Sequence, residues 1–228
     1  MRLGPVLLAS SLTIPACARA PAADTASATT PPTASIQPVS SSMVQPAPTP
    51  PPYLAALASE RPASEAPPAV AAEFGRLVGV WRCTSDQRTP DGAWQPAPGS
   101  SRWSFFYTLG GRALADVFES GIGTVGMNLR VYDPEAGAWN VAWATASQTE
   151  IDRFVARAHG DDIVMRGELP DRSRYPAHSA RISFTQITGD AFEWTYEATK
   201  PGADGPFAAY SRLHCRREAD SEMSSKTG

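Results

Sequence analysis

From residue 79 onward, apolar and polar residues alternate with a period of two; before residue 68 they show almost no pattern. Trp103, Phe105, Tyr107 and Leu109 alternate with Arg102, Ser104, Phe106 and Thr108, which predicts a strand with one strongly apolar face. Phe192, Trp194 and Tyr196 alternate with Glu193, Thr195 and Glu197, a half-buried strand with its aromatic side inward. Between them, Leu114, Asp116 and Phe118 share one face of a strand over Arg112 to Glu119, and Ala113, Ala115 and Val117 share the other. Further strands are expected over Val80 to Thr84, Asn128 to Asp133, Trp139 to Thr145, Glu150 to Ala158, Ile163 to Leu169, Ala180 to Ile187 and Ala208 to Arg216.

The connections carry turn chemistry. Thr89-Pro90-Asp91-Gly92 would return the chain as a hairpin through Trp94, and Gly110-Gly111 suits a tight primed turn. In Pro134-Glu135-Ala136-Gly137, proline starts the turn and glycine takes the left-handed position. Gly160-Asp161 and Gly189-Asp190 mark two more. Ahead of the strands, Ala69, Ala71, Ala72, Phe74 and Leu77 are spaced by three and four, so a short helix is expected over Pro68 to Leu77.

About ten short strands without helical crossovers form an antiparallel meander. The simplest way for so long a meander to hide both edges is closure into a barrel, with a β-sandwich as the alternative. One register stays open at this level: Arg130 shares a face either with Val141 and Trp143 or with Ala142.

Composition changes the picture at the N-terminus. Most of the 22 prolines precede residue 70, and residues 18–68 are so rich in Pro, Ala, Ser and Thr that they cannot bury enough surface to offset their ordering entropy. They read as a disordered tether, with Tyr53 to Leu57 as a single helical turn at most. Residues 1–17 read as an export signal: Arg2, then an apolar run from Leu3 to Ile14 that is too short to span a bilayer. Ile14-Pro15-Ala16-Cys17 resembles the bacterial lipobox, with proline a departure from the pattern, which implies lipidation of Cys17; an ordinary signal peptide cut near Ala18 or Ala20 is the alternative. Ala18 after the cysteine implies the outer membrane, facing the periplasm. The folded domain is then 69–217, with 218–228 as a disordered tail.

With Cys17 lipidated, Cys83 on the first strand and Cys215 on the last remain. In an oxidising compartment they would pair if the first and last strands are neighbours, as in a closed barrel. A net charge of −3 argues against a nucleic-acid partner, since phosphate contacts need a local surplus of Lys and Arg. Only Arg212, Arg216 and Arg217 cluster, and they read as a solvated strand edge.

Gly79-Val80-Trp81 resembles the Gly-x-Trp signature that opens the first strand of lipocalins and other calycin barrels. Together with Leu109-Gly110-Gly111-Arg112-Ala113-Leu114, Leu129-Arg130-Val131-Tyr132-Asp133-Pro134 and Ile187 to Trp194, it is similar to an uncharacterised bacterial family of lipocalin-like barrels. The resemblance implies a closed up-and-down barrel in which Trp81 plugs one end beneath an arginine of the last strand, Arg212 or Arg216. It implies little about function.

The candidate chemistry is accordingly sparse. One expectation is a binding module whose interior, lined by Trp103, Phe105, Tyr107, Trp143, Trp194 and Tyr196, holds one small apolar or aromatic ligand, with Asp116, Arg130, Arg166 and Glu193 for its polar group. The competing reading is that the aromatics fill the core and the charges pair on the surface. An isomerase, hydratase or cyclase using Asp116 or Glu193 as general acid or base is the enzymatic alternative, and an envelope interaction module is another. No nucleophile elbow, zinc-protease motif, P-loop or dinucleotide fingerprint is present, and no cofactor or metal is assigned. His159 and His178 are expected at the surface; His214 beside Cys215 is the one histidine placed for an inward haem contact, which the pattern disfavours. The membrane is contacted only through Cys17.

Overall fold

The computed structural model describes residues 57–171, 176–201 and 206–219. The expected signal segment with Cys17, the tether up to residue 56 and residues 220–228 lie outside the described residues. Among the described residues no helix is long and apolar enough to cross a membrane.

Where one helix was expected, two short turns form: α1 (Pro68–Ala72) and a 3-10 turn (Phe74–Leu77). Pro68 opens α1 without cost, because the first helical N–H groups have no intrahelical acceptor. Glu73, at φ −102 and ψ −104, leaves helical geometry and separates the two. Eleven strands follow: β1 (Gly79–Arg88), β2 (Trp94–Pro96), β3 (Ser101–Thr108), β4 (Ala113–Glu119), β5 (Val125–Asp133), β6 (Ala138–Thr145), β7 (Asp152–His159), β8 (Asp162–Leu169), β9 (His178–Thr185), β10 (Ala191–Thr199) and β11 (Ala208–Arg217).

All pairings are antiparallel. From β3 to β11 each strand pairs with the next, β1 pairs with β3 on one side, and β11 pairs with β1 on the other, so the sheet closes and the sandwich is ruled out. β2 pairs only with the far end of β1, through Asp86↔Pro96 to Arg88↔Trp94, which leaves ten strands in the wall. The turn between β3 and β4 is centred one residue earlier than expected: Leu109 and Gly110 both have positive φ, and Gly111 N–H donates to Thr108 O. Leu109 is therefore exposed rather than continuing the inner face of β3.

The β1–β11 register puts Cys83 opposite Cys215, and a disulfide joins them across 132 residues. On the chain-entropy account a loop of this length stabilises by about 5 kcal/mol. The same register corrects the arginine over Trp81. Trp81 faces Arg217, whose guanidinium lies 4.1 Å from the indole centroid, and Arg217 Nη1 also donates to Val78 O. Because side chains alternate, Leu213, Cys215 and Arg217 point inward while Arg212 and Arg216 point out; Arg212 covers Trp94 instead, at 4.0 Å. Gly79, at φ +131, is what lets Arg217 through, since a Cβ there would stand 2.1 Å from Nη1.

The end of the barrel under α1 is solid. Phe74 meets Trp139 and Phe184 edge-on at 5.2 and 5.5 Å, Trp81 meets Phe192 at 4.8 Å, and Trp81 Nε1–H donates to Leu77 O. Residues 57–67, expected as the end of the tether, also belong to this end. β3 runs past the start of β1, so the backbone of Tyr107 finds no partner there, and Ser59 exchanges two hydrogen bonds with it. Ala63 N–H donates to Gly111 O, and Glu65 pairs with Arg112.

Candidate functional site

The other half of the barrel is hollow, with a cavity of about 1220 Å³. Small-molecule pockets commonly run about 300–1,000 Å³, so one ligand of ordinary organic size has room. Each strand contributes alternate residues to its wall, which is why period-two patterning places them. Trp103 of β3, Trp143 of β6, and Trp194 and Tyr196 of β10 line it, as expected from sequence. Trp194 and Tyr196 stack on each other with an interplanar angle of 29°. Phe105 and Tyr107 instead fall in the solid half. Burial pushes the Tyr107 hydroxyl pKa upward, and that hydroxyl packs where Gly75 has no Cβ.

The open register closes in favour of an inward Arg130. Arg130 pairs with Val141 and Asn128 with Trp143, so these four share the inner face. Arg130 is fully buried and forms an ion pair with Asp116, donating from Nη1 to Oδ2. Trp103 Nε1–H donates to Asp116 Oδ1 at 2.8 Å, and Asn128 Nδ2 donates to the same oxygen at 3.1 Å. The Arg130 guanidinium also lies over the rings of Phe74 and Phe105, at 4.7 and 5.5 Å. This cluster is the floor dividing core from cavity: Asn128 and Arg130 line the cavity, and Asp116 sits behind them. A buried charge is tolerated only when paired and hydrogen-bonded, and Asp116, with three donors, meets that condition.

Two expected site residues are elsewhere. Arg166 follows the inward Met165 on β8 and is exposed on the outer surface, 5.6 Å from the Phe207 ring. Glu193 lies between the inward Phe192 and Trp194, so it too points out, where His214 contacts both it and Asp86 at 3.3 Å. His214 is thus on the outer face, not turned toward the interior. Neither Asp116 nor Glu193 lines the cavity, so the general acid or base imagined from sequence has no contact with it.

Other residues were missed. Asp152, the first residue of β7, lies beside Trp143 in the register, is buried and lines the cavity. Asp152 falls within the strand expected over Glu150 to Ala158, and its spacing of two from Phe154 is the signal that the two share the inner face. His178, expected on a surface loop, opens β9 at the cavity mouth, with Nε2 2.6 Å from the Tyr196 hydroxyl and Nδ1 2.8 Å from Pro176 O. Gly126 also shapes the wall, because the Trp143 ring occupies the space a side chain would need. Among the described residues no group of three or more potential metal ligands comes together.

No protein-family model matches the chain, and no curated protein matches it. Among solved structures it is similar to the S-type phycobiliprotein lyase CPES from Guillardia theta, at 11% identity and a TM-score of 0.43, covering 64% of this chain and 90% of that one. It is also similar to Rv2717c from M. tuberculosis, at 17% identity and a TM-score of 0.44, covering 68% of this chain and all of that one (100%).

Proposed function

We propose that this chain is a binding module that holds one small apolar or aromatic ligand inside its barrel. The observation that carries this reading is the cavity of about 1220 Å³, walled by Trp103, Trp143, Trp194 and Tyr196 above a polar floor. Trp143, Trp194 and Tyr196 stay half-buried around this space, whereas the aromatics that serve only the core, Phe74, Trp81, Trp139 and Phe192, are buried. Titrating the full chain with a panel of fluorescent apolar probes tests it: saturable binding is expected, and its absence with every probe would end the reading.

The N-terminal sequence supports a setting for this activity. Export by residues 1–17, lipidation of Cys17 and a tether would hold the barrel on the periplasmic side of the outer membrane. Incorporation of labelled palmitate, lost in Cys17→Ser, is the expected result; equal labelling of the variant would rule the anchor out.

A second reading, an interaction module, draws on the outer face of β5, where Val125, Met127, Leu129 and Val131 are all exposed. A sedimentation coefficient that falls on Leu129→Lys would support it, and a monomer in both proteins would not.

A further inference from the structure

We infer that the outer wall over β4 to β7 docks side-on against an anionic lipid surface, with the cavity mouth at the edge of the contact. The choice of lipid leans on the binding function proposed above, and it gives this face to a bilayer in place of a second copy of the chain. Of the ten large apolar side chains exposed among the described residues, seven belong to this one side. Val125, Met127, Leu129 and Val131 form a row along β5, and Val155 stands on β7. Ile151 comes immediately before β7, and Ile122 lies in the β4–β5 loop, where it also lines the cavity. No charge interrupts the row: Met127 is flanked by Val117 and Ala144, Leu129 by Ala115 and Ala142, and Asn140 lies between Val131 and Val155. Exposed apolar area that is contiguous in this way marks a surface that something covers.

Shape, charge and continuity with the mouth choose the occupant. The row is a ridge on the convex outside of a closed barrel, and two such walls meet along a line, which works against the roughly 800 Å² per partner that a stable protein contact buries. A lipid surface yields around a ridge and takes apolar side chains between its headgroups. Beside the row stand three arginines: Arg153 opposite Ala142, Arg166 opposite Val155 and Arg157 opposite Val164. All three are exposed, and none forms an ion pair among the described residues. They outnumber the carboxylates on the outer face of the neighbouring β8, Asp162 and Glu168, and Glu168 already accepts from Ser179. Guanidinium groups flanking an apolar row suit anionic headgroups above acyl chains. The row also ends at Ile122 in the cavity mouth, so an apolar ligand passes between bilayer and barrel interior without crossing water.

A polarity-sensitive fluorophore on single cysteines tests this in the full chain carrying Cys17→Ser, so that no lipid on that residue contributes. Cys83 and Cys215 are held in their disulfide, which leaves an introduced thiol as the one labelled. The label goes at Met127→Cys on the row and, as a control, at Thr185→Cys on the outer face of β9, four strands round the wall. Vesicles of phosphatidylglycerol with phosphatidylcholine are expected to shift the emission at position 127 to the blue and leave position 185 unchanged. Replacing the three arginines by glutamine, Arg153→Gln, Arg157→Gln and Arg166→Gln together, is expected to weaken vesicle binding on the order of a hundredfold. No shift at 127, or an equal shift at both positions, would overturn the inference. A blue shift at 127 before vesicles are added, with a sedimentation coefficient that falls on Leu129→Lys, would assign the face to a second copy and overturn it too. Unchanged vesicle binding in the arginine variant would overturn the anionic preference. Probe titration into the cavity without vesicles tests the binding function separately, so either can fail alone.

Discussion

The indole of Trp143 occupies the space over Gly126: a Cβ on that glycine would stand 2.3 Å from the ring's Cη2 and 2.5 Å from Cζ2. Gly126 on β5 and Trp143 on β6 are diagonal neighbours on the inner face, since Gly126 pairs with Thr145 and Asn128 with Trp143. The missing side chain therefore sets how far the largest wall residue of β6 reaches into the cavity, as aromatic cover of a sheet glycine does generally. Gly126→Val is expected to push the indole inward and weaken probe binding by roughly tenfold, consistent with an overpacking penalty of about 1–3 kcal/mol. Fluorescence titration of the variant against the parent measures it.

Asp116 and Arg130 can be tested as a pair. Arg130→Met alone strands a buried carboxylate and is expected to cost about 3–5 kcal/mol, as is Asp116→Asn to a smaller extent, because it keeps one acceptor for Trp103. Changing both together is expected to cost less than the sum, and less than Arg130→Met by itself. Urea denaturation of the three variants gives the coupling; strict additivity would mean that the two groups do not stabilise one another.

Gly79 makes the seam possible by admitting Arg217 to the face of Trp81. Gly79→Ala would force an alanine to φ +131 and drive a methyl group into the guanidinium. Backbone strain of about 1–3 kcal/mol is expected, together with loss of the cation–π contact, worth about 0.5–2 kcal/mol. The melting temperature and the tryptophan emission maximum should both move; Arg217→Ala should move the emission maximum in the same direction.

The contact between Glu65 and Arg112 sets a pH response at the closed end. The hydrogen bond from Arg112 is the largest of the influences that hold the Glu65 carboxyl at about 2, against an ordinary 4.5. Because the folded value lies below the unfolded one, the contact contributes fully above about pH 4.5 and is lost as the pH falls toward 2. An NMR titration of the Glu65 carboxyl carbon is expected to give a midpoint near 2 that returns to the ordinary carboxylate range in Arg112→Ala.

Strand patterning carried much of the fold and part of the site. Trp103 and Trp194 sit in runs where every second residue is aromatic, whereas Asp116 shares a face with Leu114 and Phe118 opposite an equally apolar face of Ala113, Ala115 and Val117, so the pattern alone does not choose which face is inward. Arg130 was different: its strand has apolar residues at Leu129 and Val131 and polar ones at Asn128 and Arg130, so pattern argues for the opposite face. Only the β5–β6 register, with Arg130 against Val141, turns the polar row in and leaves Leu129 and Val131 exposed. The Asp116 counterion that makes this tolerable comes from the adjacent strand β4, diagonal to Arg130 in the register but fourteen residues away in sequence. Arg217, at the very end of the last strand, was read as a surface charge because an arginine gives no sign of direction until its cross-strand partner is known. Residues 57–67 have the composition of a tether, and nothing local reveals that Tyr107 lacks a backbone partner for Ser59 to supply.

The most direct test of the central claim is calorimetric titration of one fluorescent apolar probe into the parent chain and into Ala198→Trp, which places an indole on the cavity wall. If the ligand site is the barrel interior, the parent binds one probe per chain and the filled variant loses at least tenfold in affinity. Several probes per chain, or equal affinity in the filled variant, would place binding on the outside of the barrel and contradict the account.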